Sequence, residues 1–348
     1  MIKVSPLTQK KIRHFKEIKR GYWSFVALSI MLILSLFAEL LINSKALVVK
    51  YDGSYYFPVV SDVRLGSEFG QESSSEADYR VLQKAFEAEG GRQLCYFAAC
   101  AVEPIRTRFW FPPTAPSAEN KHYLGTDVIG RDILARLVYG FRTAMGFALL
   151  TMAISYAIGT AVGCAMGFWG GKFDLFVQRL IEIWSMVPFL YVIMILVSIV
   201  QPTFALFVAI NVLFTWMGGM TWYMRTMTYK EAAREYVMAA RALGGASTGR
   251  ILFNHILPNT MVMIVTLAPF TIAANITALT ALDYLGLGLM PPTPSWGGEL
   301  LQQGKSNLDS PWIVASVVTS IVLVLVMVTF IGEAIRAAFD PKKFTRYV

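Results

Sequence analysis

The chain has little of the material from which catalytic and metal sites are built. It contains three cysteines and three histidines among 348 residues. No nucleophile, general base and orienting group stand at a recognisable spacing, and the histidines His14, His122 and His255 lie far apart. We therefore expect no catalytic centre, no metal site and no cofactor in this chain.

Charge is also scarce, which excludes an ordinary soluble domain. Only 16% of the residues are charged and 55% are hydrophobic, with a mean hydropathy of +0.51. The net charge of +8 does not indicate nucleic acid, because the basic residues cluster at the ends of hydrophobic runs and form no stripe with aromatics. This composition predicts an all-α polytopic membrane protein.

Long uncharged runs predict six transmembrane helices. A helix needs about 20 apolar residues to cross a hydrocarbon core of about 30 Å. Runs of this kind occupy residues 22–38, 143–169, 183–224, 259–282 and 312–332. The third run is long enough for two helices, with a turn predicted at Gln201, Pro202 and Thr203.

The distribution of basic residues predicts the orientation. Residues 1–20 contain seven Lys or Arg and one acid, Glu17, which places the N-terminus in the cytoplasm. The first run is followed by no cleavage pattern, so we expect a retained anchor. Alternation then predicts a first transmembrane helix (21–42), a periplasmic loop (43–132), a five-helix core (133–335) with inner loops at 170–182 and 225–258, and a cytoplasmic C-terminus (336–348).

The long outer loop offers two local signals. The stretch VVKYDGSYYFPVV is β-prone, with a turn predicted at Asp52 and Gly53. Cys95 and Cys100 lie where oxidising conditions permit a disulfide, but their spacing places them on different faces of a helix and favours two free thiols.

Two further segments carry polar residues near the outer side. LGTDVIGRDILARLVYG lacks the ending of a phosphate-binding loop and favours a helix start capped by Thr126 or Asp127. Asp283 lies near the outer end of the fifth predicted span, where a carboxylate is costly. It either lines a pathway or gate or forms hydrogen bonds at the interface, and the second reading is favoured.

The polar segment between the fourth and fifth spans reads as a helix. From Tyr229, YKEAAREYVMAARALGG places a largely alanine face opposite its charged residues, and Gly244 and Gly245 end it. Because small side chains let another surface approach the backbone closely, this pattern favours a docking helix.

The same segments resemble a known family. EYVMAARALGG followed by HILPN is similar to the coupling loop of bacterial ABC importer permeases of the dipeptide/oligopeptide/nickel branch. LGTDVIGRDILARLVYGFR, GFWGGKFD, RLIEIWSMVP and LDYLGLGLMPPTPSWGGEL resemble other signature segments of that branch. The N-terminal third looks most like the second permease of peptide and microcin C importers.

The resemblance implies a fold, partners and a site. It implies the type I ABC importer permease fold, a second permease, two cytoplasmic ATPases that bind ATP, and a periplasmic substrate-binding protein. The family's ATPase-coupling residues fall on Glu235, Tyr236, Ala239, Ala240, Arg241, Gly244 and Gly245. The family's usual Glu-Ala-Ala is Met238-Ala239-Ala240 here, which moves the acidic anchor to Glu235, and either glycine takes the family's glycine position.

The expected function is therefore non-catalytic. The chain would be a multi-pass inner-membrane permease subunit importing peptides or peptide-like compounds, including the microcin C type, while partner subunits hydrolyse ATP. The alternatives are import of another small solute such as nickel chelates, or a proton-coupled secondary transporter. The last requires buried carboxylates or histidines, which the predicted spans almost lack.

Overall fold

A computed structural model describes most of the chain. The described residues are 6–38, 48–58, 66–71, 77, 79, 82, 85–86, 94–96, 113–118, 122–128, 130–242, 248–289, 293–306 and 309–339. The chain divides into two compact units, one of residues 1–28, 144–293 and 322–348 and the other of residues 29–143 and 294–321. Glycines Gly244 and Gly245 and the side chains of Cys95 and Cys100 fall outside this description.

Helices make up most of the described structure. In chain order they are α1 (Pro6–Glu17), α2 (Lys19–Leu36), α3 (Ile133–Trp169), α4 (Gly171–Ser185), α5 (Phe189–Ile199), α6 (Phe204–Thr215), α7 (Gly219–Ala232), α8 (Glu235–Ala242), α9 (Thr248–Ile251), α10 (Leu257–Tyr284), α11 (Gln303–Ser306) and α12 (Pro311–Phe339). A π-helical turn, Leu252–Ile256, joins α9 to α10.

Within the described residues, three to six segments are candidate membrane spans. Three are single helical stretches, at 133–169, 249–284 and 311–339. Three more are helix pairs bent by more than 40°, namely α1 with α2, α4 with α5, and α6 with α7. The predicted turn at residues 201–203 is confirmed, since α5 ends at Ile199 and α6 begins at Phe204.

One local prediction on the inner segments is wrong, and another stays a prediction. Residues 170–182 are predicted as an inner loop between spans; the structure has a break at Gly170, at φ 59°, and α4 from Gly171 onward, and the side of the membrane on which they lie stays a prediction. The helix predicted from Tyr229 through Leu243 is interrupted after Ala232 by a tight turn, in which the Arg234 amide bonds to the Glu231 carbonyl. A new helix, α8, then begins at Glu235.

Helices α3 and α7 pack without intervening side chains. Gly159, Gly163 and Gly167 recur every four residues on α3 and face α7. A Cβ on Gly163 would stand 2.5 Å from the Thr221 carbonyl oxygen, and one on Gly167 would stand 2.5 Å from the Arg225 carbonyl oxygen. Backbones this close are typical of membrane helices joined through small residues.

The second unit holds a small sheet and an aromatic cluster. Strands β1 (Val48–Tyr51), β2 (Ser54–Tyr56) and β3 (Leu94–Tyr96) pair antiparallel in the order β2-β1-β3. The predicted turn at Asp52 and Gly53 is confirmed, and both residues have positive φ, as a two-residue hairpin turn of type I′ requires. Buried residues pack beside the sheet: Val49, Phe69, Ala77, Tyr79, Leu82 and Phe86.

The start of α3 is capped by a residue other than those predicted. Asp127 accepts hydrogen bonds from the backbone amide and Nε of Arg131, both at 2.8 Å, and so does not cap the helix. Asp132 caps it instead, accepting from the Ala135 amide at 3.0 Å. The other Asp132 oxygen lies 2.9 Å from Nδ1 of His122, and both side chains are buried.

Candidate functional site

Within the first unit, helix α8 packs against neighbouring helices through one apolar face. Val237 is fully buried with Ile251 and Ile256, and Phe168 and Leu252 complete the cluster. The turn before α8 positions this face, because the amides of Val237 and Met238 both bond to the Arg234 carbonyl. The cluster therefore joins α8 to the end of α3 and to the helical stretch that leads into α10.

Tyr236 fixes one end of α8 through hydrogen bonds. Its hydroxyl donates to Glu231 at 2.7 Å and accepts from Nδ2 of Asn259 at 2.9 Å. Glu231 is buried and also pairs with Arg234 at 3.1 Å. Partial burial and the bond to Glu231 raise the pKa of Tyr236, so the hydroxyl remains a donor at neutral pH. Tyr236 thus links α7, α8 and α10.

Arg241 fixes the other end of α8. Its guanidinium carbon lies 4.5 Å from the centroid of the Phe168 ring, within the range of a cation–π contact. Phe168 belongs to the last turn of α3. Two of the predicted coupling residues, Tyr236 and Arg241, therefore make contacts within the chain.

The outward face of α8 carries small and flexible side chains. Glu235, Met238, Ala239 and Ala242 are exposed, and Met238 is 52% exposed. Ala240, predicted beside Ala239 on the docking face, is half-buried next to the packing face. A surface with two alanines permits close approach of a partner, and an exposed methionine adapts to one.

A buried ion pair ties α7 to α4. Arg225 donates from Nε to one oxygen of Asp174 at 2.6 Å and from Nη2 to the other at 2.5 Å. The Asp174 side chain is 7% exposed and that of Arg225 is 24% exposed. This bidentate pair joins residues 51 positions apart, and no sequence motif signalled it.

Asp283 is buried at the end of α10. One carboxylate oxygen accepts from the Leu289 amide at 2.7 Å, across a turn in which Gly286 has φ 73°. The Leu287 amide bonds to the Leu282 carbonyl in the same turn. This geometry agrees with the favoured hydrogen-bonding reading, while a role in the pathway or gate stays a prediction.

We expect Asp283→Asn to retain more transport and thermal stability than Asp283→Leu. The amide oxygen of asparagine still accepts from the Leu289 amide, whereas leucine leaves that buried donor unpaired at a cost of about 1–3 kcal/mol. The measurement is the unfolding midpoint of each purified variant beside its transport rate. Equal losses for both variants would contradict the hydrogen-bonding role.

Among the described residues, no group of three or more His, Cys, Asp or Glu side chains is placed to hold a metal ion. The first unit does contain an apolar cavity of about 580 Å³ beside α3, bounded by Tyr156, Trp169, Leu257 and Ile264. The alanines Ala153, Ala157, Ala161 and Ala165 form one wall of it.

Comparison with known proteins identifies the class. Residues 159–345 match the family described as the inner membrane component of binding-protein-dependent transport systems. The chain is 41% identical over 347 residues to the inner membrane ABC transporter permease protein YejE of Escherichia coli K12, covering 99% of each chain. It is 36% identical to the peptidoglycan transport system permease protein YejE of Agrobacterium fabrum, covering 98% of this chain and 95% of that one.

A shorter match supports the same assignment. The oligopeptide transport system permease protein OppC of Haemophilus influenzae is 34% identical over 230 residues, covering 66% of this chain and 73% of that one. The chain therefore belongs to the family of inner membrane permease components of binding-protein-dependent ABC transporters. It is a multi-pass inner-membrane protein whose family works with separate ATPase subunits and a substrate-binding protein.

Proposed function

We propose that this chain is a permease subunit of an ATP-driven importer of peptides or peptide-like compounds. Similarity across 99% of the chain to an ABC transporter permease carries the proposal. The relatives that match over shorter ranges are permeases of oligopeptide and dipeptide transport systems, which favours peptides over nickel chelates. One relative is a permease of a peptidoglycan transport system, which brings peptidoglycan fragments into the proposed range of substrates. Microcin C is a further peptide-like candidate.

The proposed assembly has four kinds of component. This chain, in the type I permease fold, pairs with a second permease and binds a periplasmic substrate-binding protein. Of two cytoplasmic ATPases, one docks on the outward face of α8, with Glu235 and Ala239 at the contact and Ala240 at its edge, and the other docks on the second permease. Gly244 and Gly245 follow α8 and belong to the same proposed coupling loop. Tyr236 and Arg241 act from behind, transmitting movement of α8 to α3, α7 and α10.

Reconstitution tests this function directly. The chain is placed in proteoliposomes with its second permease and ATPases, and the binding protein is added outside with a labelled oligopeptide or muropeptide. We expect uptake that requires both ATP and the binding protein. Uptake driven by a proton gradient without ATP would instead support a secondary transporter.

The proposed orientation has a separate test. In a cysteine-free background, Tyr55→Cys lies on the hairpin of the predicted periplasmic loop and Asn254→Cys lies in the predicted cytoplasmic loop, and both positions are exposed. An impermeant thiol reagent added to intact cells should label Tyr55→Cys alone, and Asn254→Cys only after lysis. The opposite pattern would reverse the topology.

A further inference from the structure

The first helix lies across the start of the first candidate span. Helices α1 and α2 are bent by 96° at Ile18, so α1 runs nearly perpendicular to α2. Trp23, one turn into α2, is 64% exposed and its ring contacts Tyr22. An exposed tryptophan beside a half-buried tyrosine at the start of a span marks the level of the lipid headgroups. If α2 crosses the bilayer, α1 lies in its interface plane.

Contacts within the first unit hold α1 at this level. The Phe15 ring meets Phe25 of α2 edge-on, with centroids 6.1 Å apart. The Lys11 ammonium lies 4.6 Å from the centroid of the Phe339 ring, in the last turn of α12. Gly21 lets α2 approach α12 closely, since a Cβ there would collide with Ala334. Helix α1 is thus a fixed part of the unit.

The two faces of α1 differ in character. Ile12 and Phe15 share one side of the helix, and Ile12 is 48% exposed although it is apolar. Lys10 and Arg13 lie on the other side, Lys16 lies at the border one turn from Ile12, and all three are exposed. An exposed apolar residue beside a basic face is typical of a helix that lies in the membrane interface.

The charges of this surface are mostly positive. The only acid in α1, Glu17, is engaged by Arg13 at 3.8 Å and by Nδ1 of His14 at 3.1 Å. Lys19 and Arg20, exposed at the start of α2, extend the basic surface. Each basic residue near an anionic membrane contributes about 1 kcal/mol of attraction.

We propose that the basic face of α1, with Lys19 and Arg20, binds the headgroups of anionic phospholipids in the leaflet where α2 begins. Perpendicular placement, aromatic residues at headgroup level and the net positive charge of residues 10–20 all fit a lipid surface. The bound lipids would hold α1 and, through Lys11 and Phe339, the end of α12. This proposal does not depend on the transport assignment.

Photocrosslinking of the full-length chain tests it. A photoreactive amino acid replaces Gln9, beside the basic face, and the chain is placed in nanodiscs of phosphatidylcholine with a one-fifth share of phosphatidylglycerol. We expect the ratio of phosphatidylglycerol to phosphatidylcholine crosslinks to exceed the ratio of the two lipids in the nanodisc by about tenfold or more. The variant K10Q/R13Q/K16Q, which leaves the Lys11–Phe339 contact in place, should lower that ratio at least about fivefold, the factor that corresponds to about 1 kcal/mol.

Two controls make the outcome decisive. The variant K10R/R13K/K16R keeps every charge and should crosslink like the unmodified chain, and size-exclusion profiles of all variants establish that they fold. Inorganic phosphate at millimolar concentration should not compete. Equal phosphatidylglycerol excess in the glutamine variant would overturn the proposal. The proposal would also be overturned if the glutamine variant kept its lipid crosslinks but lost a co-purifying protein. That result would assign the surface to a protein partner.

Discussion

Ala239→Glu is expected to abolish association with the ATPases and with it ATP-driven uptake. Ala239 is exposed on the outward face of α8, so a glutamate there is accommodated in the free chain. On docking it must lose water, which costs several kcal/mol for an unpaired carboxylate, or about 100-fold or more in affinity. The measurements are co-purification of the ATPases with the permease and peptide uptake in proteoliposomes.

The structure also sets the controls for this prediction. Arg234→Ala removes an exposed side chain paired with Glu231 and should change association little. Ala240→Glu is a poorer probe than Ala239→Glu, because the half-buried Ala240 adjoins the packing face and a glutamate there strains α8 itself. If the Ala239→Glu variant keeps full association with the ATPases and full uptake, the outward face of α8 is not the docking site.

Asp174→Asn is expected to destabilise the first unit by about 2–3 kcal/mol, between the values for exposed and fully buried ion pairs. The substitution removes the negative charge that compensates the Arg225 guanidinium. That guanidinium is largely buried, so it is left without a counter-charge where water screens it poorly. Because the pair ties α7 to α4, the transport rate per ATP hydrolysed should fall as well. The measurements are the unfolding midpoint in detergent and the ratio of uptake to ATP hydrolysis.

A matched variant on the same helix serves as the control. Glu182 pairs with Arg179 on α4, but the two side chains are 38% and 71% exposed. Glu182→Gln makes the same carboxylate-to-amide change and should cost less than about 1 kcal/mol. The double variant Asp174→Arg/Arg225→Asp should recover part of the loss. If Asp174→Asn and Glu182→Gln lower the unfolding midpoint equally, the buried Asp174–Arg225 pair stabilises the unit no more than the exposed pair does.

Several features could be predicted because their physical cause is local. The bilayer requires long apolar runs, so residues 143–169 and 312–332 were identifiable by composition, and helices α3 and α12 contain them. The Asp52–Gly53 turn follows from the positive φ that a tight hairpin demands, and residues 201–203 follow from a proline between apolar runs. The resemblance to ABC permeases rested on contiguous motifs, and the family match confirms it.

The orientation of α8 could not be predicted in the same way. Helical periodicity assumes a continuous helix, but the turn at Ala233 and Arg234 resets the angular position of every later side chain. Val237 then becomes the buried residue, and Tyr236 and Arg241 turn to Glu231 and Phe168. The segment was found from the sequence, but its outward face was not.

By itself the sequence determined that this is a helical membrane protein, which segments are apolar enough to span, and which family it resembles, since composition and contiguous motifs carry that information. Only the tertiary structure decided which polar groups meet. The pairs Asp174–Arg225 and His122–Asp132 join different segments of the chain, and Asp283 caps a turn with an amide six residues on. Such contacts depend on how helices pack and where the chain turns, and local periodicity does not encode either.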